Sequence, residues 1–148
     1  MQSKQRMILI DFDGTVVEHK FPLVGEEIGA VPVLKELVEN GHKLILFTMR
    51  SDSHPNPTKT EAEPEISIHK GNFLQDAVNW FKSHDIPLYG IQANPTQHLW
   101  TTSPKAYGHL IIDDTSINCP LIYPAIGNPY VDWEAIRHIL IGTGYINL

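Results

Sequence analysis

Four carboxylates in two short motifs are the residues of this chain best suited to chemistry: Asp11 and Asp13 in DFDGT, and Asp113 and Asp114 in DDT. Each motif directly follows an apolar run, MILI at residues 7–10 and HLII at 109–112. Acidic groups brought to one place repel each other unless a cation sits among them. An acidic site built from oxygen alone suits Mg2+, which keeps several waters and bridges to substrate phosphate. A hydroxyl at Thr48 and an ammonium at Lys105 would complete a set able to hold a phosphoryl group. Phosphoryl transfer requires little beyond an in-line nucleophile, charge neutralisation and positioning. Each residue alone also has an ordinary reading. DxDG can be a turn in which Asp caps backbone and Gly supplies positive φ, DD a surface turn, Thr48 a helix cap and Lys105 a solvated charge. Their joint order, each beside an apolar run, points to one site.

The elements that must position these groups read as alternating strands and helices. MILI is a buried parallel strand. Val31, Leu34, Leu37 and Val38 then recur at helical spacing, with Pro32 in the first turn and Gly41 where a left-handed C-terminal residue is wanted. LILF at 44–47 is a second strand, and Phe73, Leu74, Ala77, Val78 and Phe81 form one face of a second helix. Residues 87–91 read as a third strand, 109–112 as a fourth and 119–122 as a short fifth that includes Cys119. Asp132 is placed to cap a last helix built on Trp133, Ile136 and Leu140. This alternation predicts an α/β fold, with right-handed crossovers and a parallel sheet covered by helices on both faces. Sites in such sheets lie at the C-terminal strand ends. Asp11 and Asp13 follow strand one, Thr48 and Arg50 follow strand two, and Asp113 and Asp114 follow strand four. Two stretches lack any period: residues 51–68, with three prolines, and 92–104, holding Asn94, His98 and Trp100. Connections of that length are functional or disordered, and both are expected to select the substrate.

Composition bounds the alternatives. A chain of 148 residues is the size of one domain, and no linker or repeat divides it. No apolar run approaches membrane-spanning length, and the polar N-terminus lacks the pattern of a secretory signal. Cys119, the single cysteine, cannot form an internal disulfide, which points to a reducing cytoplasm. A net charge of −6 counts against a broad nucleic-acid surface but not against a small phosphorylated substrate. The eight histidines are dispersed, without zinc-site spacing.

At this point the motifs resemble those of a known family. ILIDFDGTVV looks like the first signature of the haloacid dehalogenase (HAD) superfamily, LILFTMR like the second, SPK like the third and HLIIDD like the fourth. The match runs in order through most of the chain. It implies a three-layer Rossmann-like fold of strand order 5-4-1-2-3, a small flap within residues 15–25, and no large cap domain. The implied activity is that of a magnesium-dependent phosphatase working through an aspartyl-phosphate. By this resemblance Asp11 is the nucleophile and Asp13 the general acid and base. Asp11, the backbone carbonyl of Asp13 and the side chain of Asp114 hold Mg2+, with Asp113 supporting. Thr48 binds the phosphoryl group with help from the backbone near Phe12 and Met49, and Lys105 balances its charge. Many relatives place that lysine further upstream, where Lys70 would fit. Arg50 could reach the substrate or cap the strand end.

Competing functions use similar parts. A signalling receiver domain also gathers acids, a Thr and a Lys, but carries its acidic pair on the first strand. A non-catalytic binding module could have lost any of Asp11, Asp13, Thr48 or Asp114. Within the enzyme reading, a polynucleotide-end or protein phosphatase of the same fold is the alternative to one acting on small metabolites.

Overall fold

The computed structural model describes residues 4–52 and 71–148. Its centre is a parallel sheet in which β1 (Met7–Ile10) lies between β2 (Lys43–Leu46) and β4 (Leu110–Ile112), with β3 (Gly90–Ile91) outside β2. The register pairs Ile8 with Leu44 on one side and with Leu110 on the other. These strands are short apolar runs because both of their faces are covered.

Three helices follow the periodicities of the sequence: α1 (Ala30–Glu39), α2 (Phe73–Ser83) and α3 (Trp133–Gly142). Each start is capped from a distance or locally. Glu27 Oε1 accepts from the amides of Gly29 and Val31 at 2.7 and 2.9 Å, Asp52 Oδ1 from Gln75 at 3.0 Å, and Asp132 Oδ1 from Ala135 at 3.1 Å. Asn40 ends α1, and Gly41 follows at φ 87°, as its position predicts. Glu36 and Arg137 then join α1 to α3 through a bidentate pair at 2.8 and 3.0 Å.

The two faces of the sheet are covered differently. Ile8, Ile10, Leu44 and Leu46 point into one core with Leu34 and Leu37 of α1, Phe81 of α2 and Leu140 of α3. Leu9 and Ile45 point the other way and meet Ala106, with Met7 and Tyr89 beside it. The expected helix on that second face is absent among the described residues. The segment between β3 and β4 covers it instead, with only a 3-10 turn at Gln97–Leu99. Pro95 and Pro104 in this segment oppose a regular helix. Buried side chains organise it: the Gln97 amide donates to the carbonyls of Ser103 and Lys105 at 3.1 and 2.9 Å and accepts from the amide of Tyr107 at 2.7 Å.

The expected fifth strand also differs. β5 (Leu121–Ile122) does not extend the sheet beside β4; it pairs antiparallel with β6 (Tyr130–Val131). A parallel return needs a crossover of about a dozen residues, and the chain from Ile112 to Leu121 is shorter than that. Cys119 lies half-buried just before β5, not within a strand. No helix among the described residues is long and apolar enough to cross a membrane.

Candidate active site

The chain after β1 turns sharply. Gly14, at φ 79°, lets the amides of Thr15 and Val16 reach back to the carbonyl of Phe12 at 3.1 and 2.9 Å. A Cβ on Gly14 would stand 2.5 Å from Asp114 Oδ2, so the absence of a side chain lets the two acidic loops meet. The β5–β6 pair and α3 brace this turn from behind. The amide of Val131 donates to the carbonyl of Gly14 at 3.1 Å, and Trp133 Nε1 donates to that of Thr15 at 2.6 Å.

Three carboxylates converge here. Asp11, Asp113 and Asp114 each offer an oxygen, and these oxygens all lie within 4.8 Å of one another. Thr15, fully buried, ties them together: its hydroxyl donates to Asp11 Oδ2 at 2.7 Å and accepts from the amide of Asp114 at 3.1 Å. Burial pushes the Asp11 carboxyl up to about 7, against the lowering effect of the Thr15 hydroxyl and with the charge of Asp113 adding to the rise. Burial raises Asp114 as well. Crowded, partly desolvated oxygens of this kind are what a hard divalent cation relieves, so the donor set fits Mg2+.

Beside the acids lies a cavity of about 320 Å³. Asp11, Asp13, Asp113 and Asp114 line it, as do Thr48, Met49 and Arg50 from the loop after β2. That loop is held by Gln92, which accepts from the amide of Thr48 at 2.9 Å and donates to the carbonyls of Thr48 and Arg50 at 2.7 and 3.0 Å. The Thr48 hydroxyl accepts from the amide of Arg50 at 3.1 Å, which leaves its own hydrogen to donate into the cavity. The remaining wall comes from Thr115 and from residues 15–25, which supply His19 and Phe21. This segment arches back on itself, with the amide of Glu18 donating to the carbonyl of Glu26 at 2.8 Å.

No protein-family model matches the sequence, and no curated protein matches it. The fold does match the solved structure of a conserved protein from Bacteroides thetaiotaomicron, with a TM-score of 0.66 and 30% identity over 95% of this chain and 93% of that one. The chain belongs to the family of that protein. Membership accounts for the fold and leaves the chemistry to be argued from the site.

Most residues singled out in the sequence meet at this cavity; Lys105 does not. It is exposed and precedes β4, at the edge where the strands begin, and lines a different cavity together with Trp100 and His109. Gln97 holds its carbonyl there. In a parallel sheet, a residue at a strand's start is separated by the strand's length from the acids at its end. None of residues 92–104, Trp100 and His98 included, lines the acidic cavity, so they do not form the expected wall around a leaving group. Lys70 and most of residues 51–68 lie outside the described residues.

Three contributors lie outside the residues that the sequence points to. Thr15 sits inside DFDGT, where a hydroxyl four residues after the first acid is a usable signal. His19 carries no such signal, and Gln92 reaches Thr48 only because β3 lies beside β2.

Proposed function

We propose that this protein is a magnesium-dependent phosphatase of HAD type, with a capless Rossmann-like fold, hydrolysing a phosphomonoester through an aspartyl-phosphate on Asp11. The observation that carries this is the convergence of Asp11, Asp113 and Asp114, joined by Thr15, on a cavity that Asp13 and Thr48 also line. Asp11 attacks phosphorus in line as the bond to the leaving oxygen breaks, and Asp13 delivers a proton to that oxygen. Water then attacks the phosphorus of the acyl phosphate and gives a proton to Asp13, releasing phosphate and restoring the Asp11 carboxylate. Thr48 donates to a phosphoryl oxygen throughout. Asp11, Asp114 and the backbone carbonyl of Asp13 would hold Mg2+, with Asp113 supporting, and the bound ion would supply charge neutralisation. A small phosphorylated metabolite suits the cavity's size, and the acidic net charge counts against a nucleic acid in its place. The cytoplasm is part of the same proposal and rests on the lone thiol of Cys119.

Phosphate release across a panel of phosphorylated metabolites, peptides and oligonucleotides, with and without magnesium, tests this reading. Sustained, magnesium-dependent turnover is expected, and Asp11→Asn should abolish it in a chain that still folds. Near-normal turnover by purified Asp11→Asn would overturn the mechanism. A single phosphorylation without turnover would indicate a receiver.

A further inference from the structure

Arg50 is a cation at the cavity that the mechanism above leaves without a role. Its side chain is 1% exposed, too enclosed to offer itself to a substrate while it keeps its present partners. Nε donates to Asp13 Oδ2 and Nη2 to Asp13 Oδ1, both at 2.8 Å. Nη2 also donates to the carbonyl of Leu23 at 2.8 Å, and Nη1 to that of Phe73 at 3.3 Å. The guanidinium carbon lies 4.9 Å from the centre of the Phe12 ring and 5.2 Å from that of Phe21. Phe21 and Leu23 belong to the arch over the cavity, and Phe73 opens α2. One buried cation therefore joins the loop after β1, the arch and α2.

We propose that Arg50 is a positioning residue, which holds the Asp13 carboxylate in a two-oxygen fork and couples its release to movement of the arch carrying Phe21 and Leu23. This rests on the reading of Asp13 as the group that protonates the leaving oxygen. In the fork both Asp13 oxygens accept from Arg50, so a proton on either would meet a guanidinium N–H. One of the two bonds must open before Asp13 can serve a leaving group. Arg50 cannot simply retreat, because the Phe12 and Phe21 rings flank it and Leu23 shares its Nη2. Leaving its charge buried without a partner is costly. Phe21 lines the cavity, so a substrate that fills the cavity pushes on the same arch. The fork then opens with an occupied site and stays closed over an empty one. A lysine cannot substitute, since one ammonium does not hold two oxygens in a planar fork.

The experiment compares the full chain with its Asp11→Asn, Asp13→Asn, Arg50→Lys, Phe21→Ala and Asp13→Asn/Arg50→Lys variants. Each is checked for folding by circular dichroism and assayed with magnesium for kcat/KM on aryl phosphates from nitrophenyl to phenyl. The bond that stays closed keeps Asp13 aimed at the leaving oxygen, and only the poorer leaving groups need its proton. Arg50→Lys, which loses that aim, should therefore lose about 10-fold more on phenyl than on nitrophenyl phosphate, a modest share of what general acid catalysis contributes. In the Asp13→Asn background the same change should leave that ratio where Asp13→Asn put it. Phe21→Ala, at a position 39% exposed, should move the ratio the same way by a smaller factor, and it decides the matter if Arg50→Lys does not fold. Equal losses on both esters, or independent effects in the double variant, would show a purely structural role and overturn the proposal. If the wild-type chain hydrolyses no ester and Asp11→Asn behaves identically, the phosphatase reading itself fails and takes the proposal with it.

Discussion

Thr15 and Asp11 are joined by a 2.7 Å hydrogen bond, and the same buried Thr15 oxygen accepts from the amide of Asp114. One hydroxyl thus sets the spacing of two loops that are far apart in sequence. It also supplies Asp11 with its main lowering influence against burial.

Replacing this group tests how far it carries the site. Thr15→Val keeps the shape but leaves a part-buried amide and a carboxylate oxygen without their partner, a loss of about 1–3 kcal/mol. Urea denaturation should show that loss, and turnover should fall with it. Thr15→Ser should recover most of both. A Val variant as stable and as active as the parent would remove Thr15 from the site.

Asp11 also makes a stability prediction for the metal-free protein. Its carboxyl is raised from 3.8 to about 7, so the folded chain binds that proton more tightly than the unfolded chain does. The stabilisation this gives is complete below the unfolded value and is lost as pH rises through about 7. Asp114 is shifted in the same direction. The stability difference between wild type and Asp11→Asn, measured by denaturation without metal, should therefore move against the wild type as pH rises through that window. Added Mg2+ should offset the change by binding the ionised form. A difference independent of pH would mean that Asp11 is not desolvated as its surroundings imply.

The two adjacent acids should differ in weight. Asp113 Oδ1 already accepts from the amide and hydroxyl of Thr115, at 2.9 and 2.8 Å, whereas Asp114 faces Gly14 and Thr15. Calorimetric titration with Mg2+ should find Asp114→Ala the weaker binder. Asp113→Ala should lose about 10- to 100-fold, as supporting groups commonly do. The reverse ranking would exchange their roles.

Lys105 gives a prediction of the opposite kind. Because it lies outside the acidic cavity, Lys105→Ala should leave kcat and KM for phosphate release at the wild-type values. A loss of several orders of magnitude would mean that the loop holding it rearranges on binding substrate.

The sequence by itself determined the local elements and the position of the acids along them. The period of Leu34 and Leu37, the cap at Asp132, the left-handed Gly41 and the acids following MILI and HLII are all properties of neighbouring residues, and the structure keeps each one. Because parallel strands end at a common edge, that was enough to bring Asp11, Thr48, Asp113 and Asp114 together. Only the tertiary structure decided what packs across that local order. It placed Lys105 at the far edge, turned β5 away to pair with β6, and covered one face with an irregular segment. It also turned Arg50 inward onto Asp13 instead of outward to a substrate. These outcomes depend on the reach of a connection and on which donor meets which acceptor across the sheet. Spacing along the chain encodes neither, because both are settled only when distant backbone and side chains compete for the same buried space.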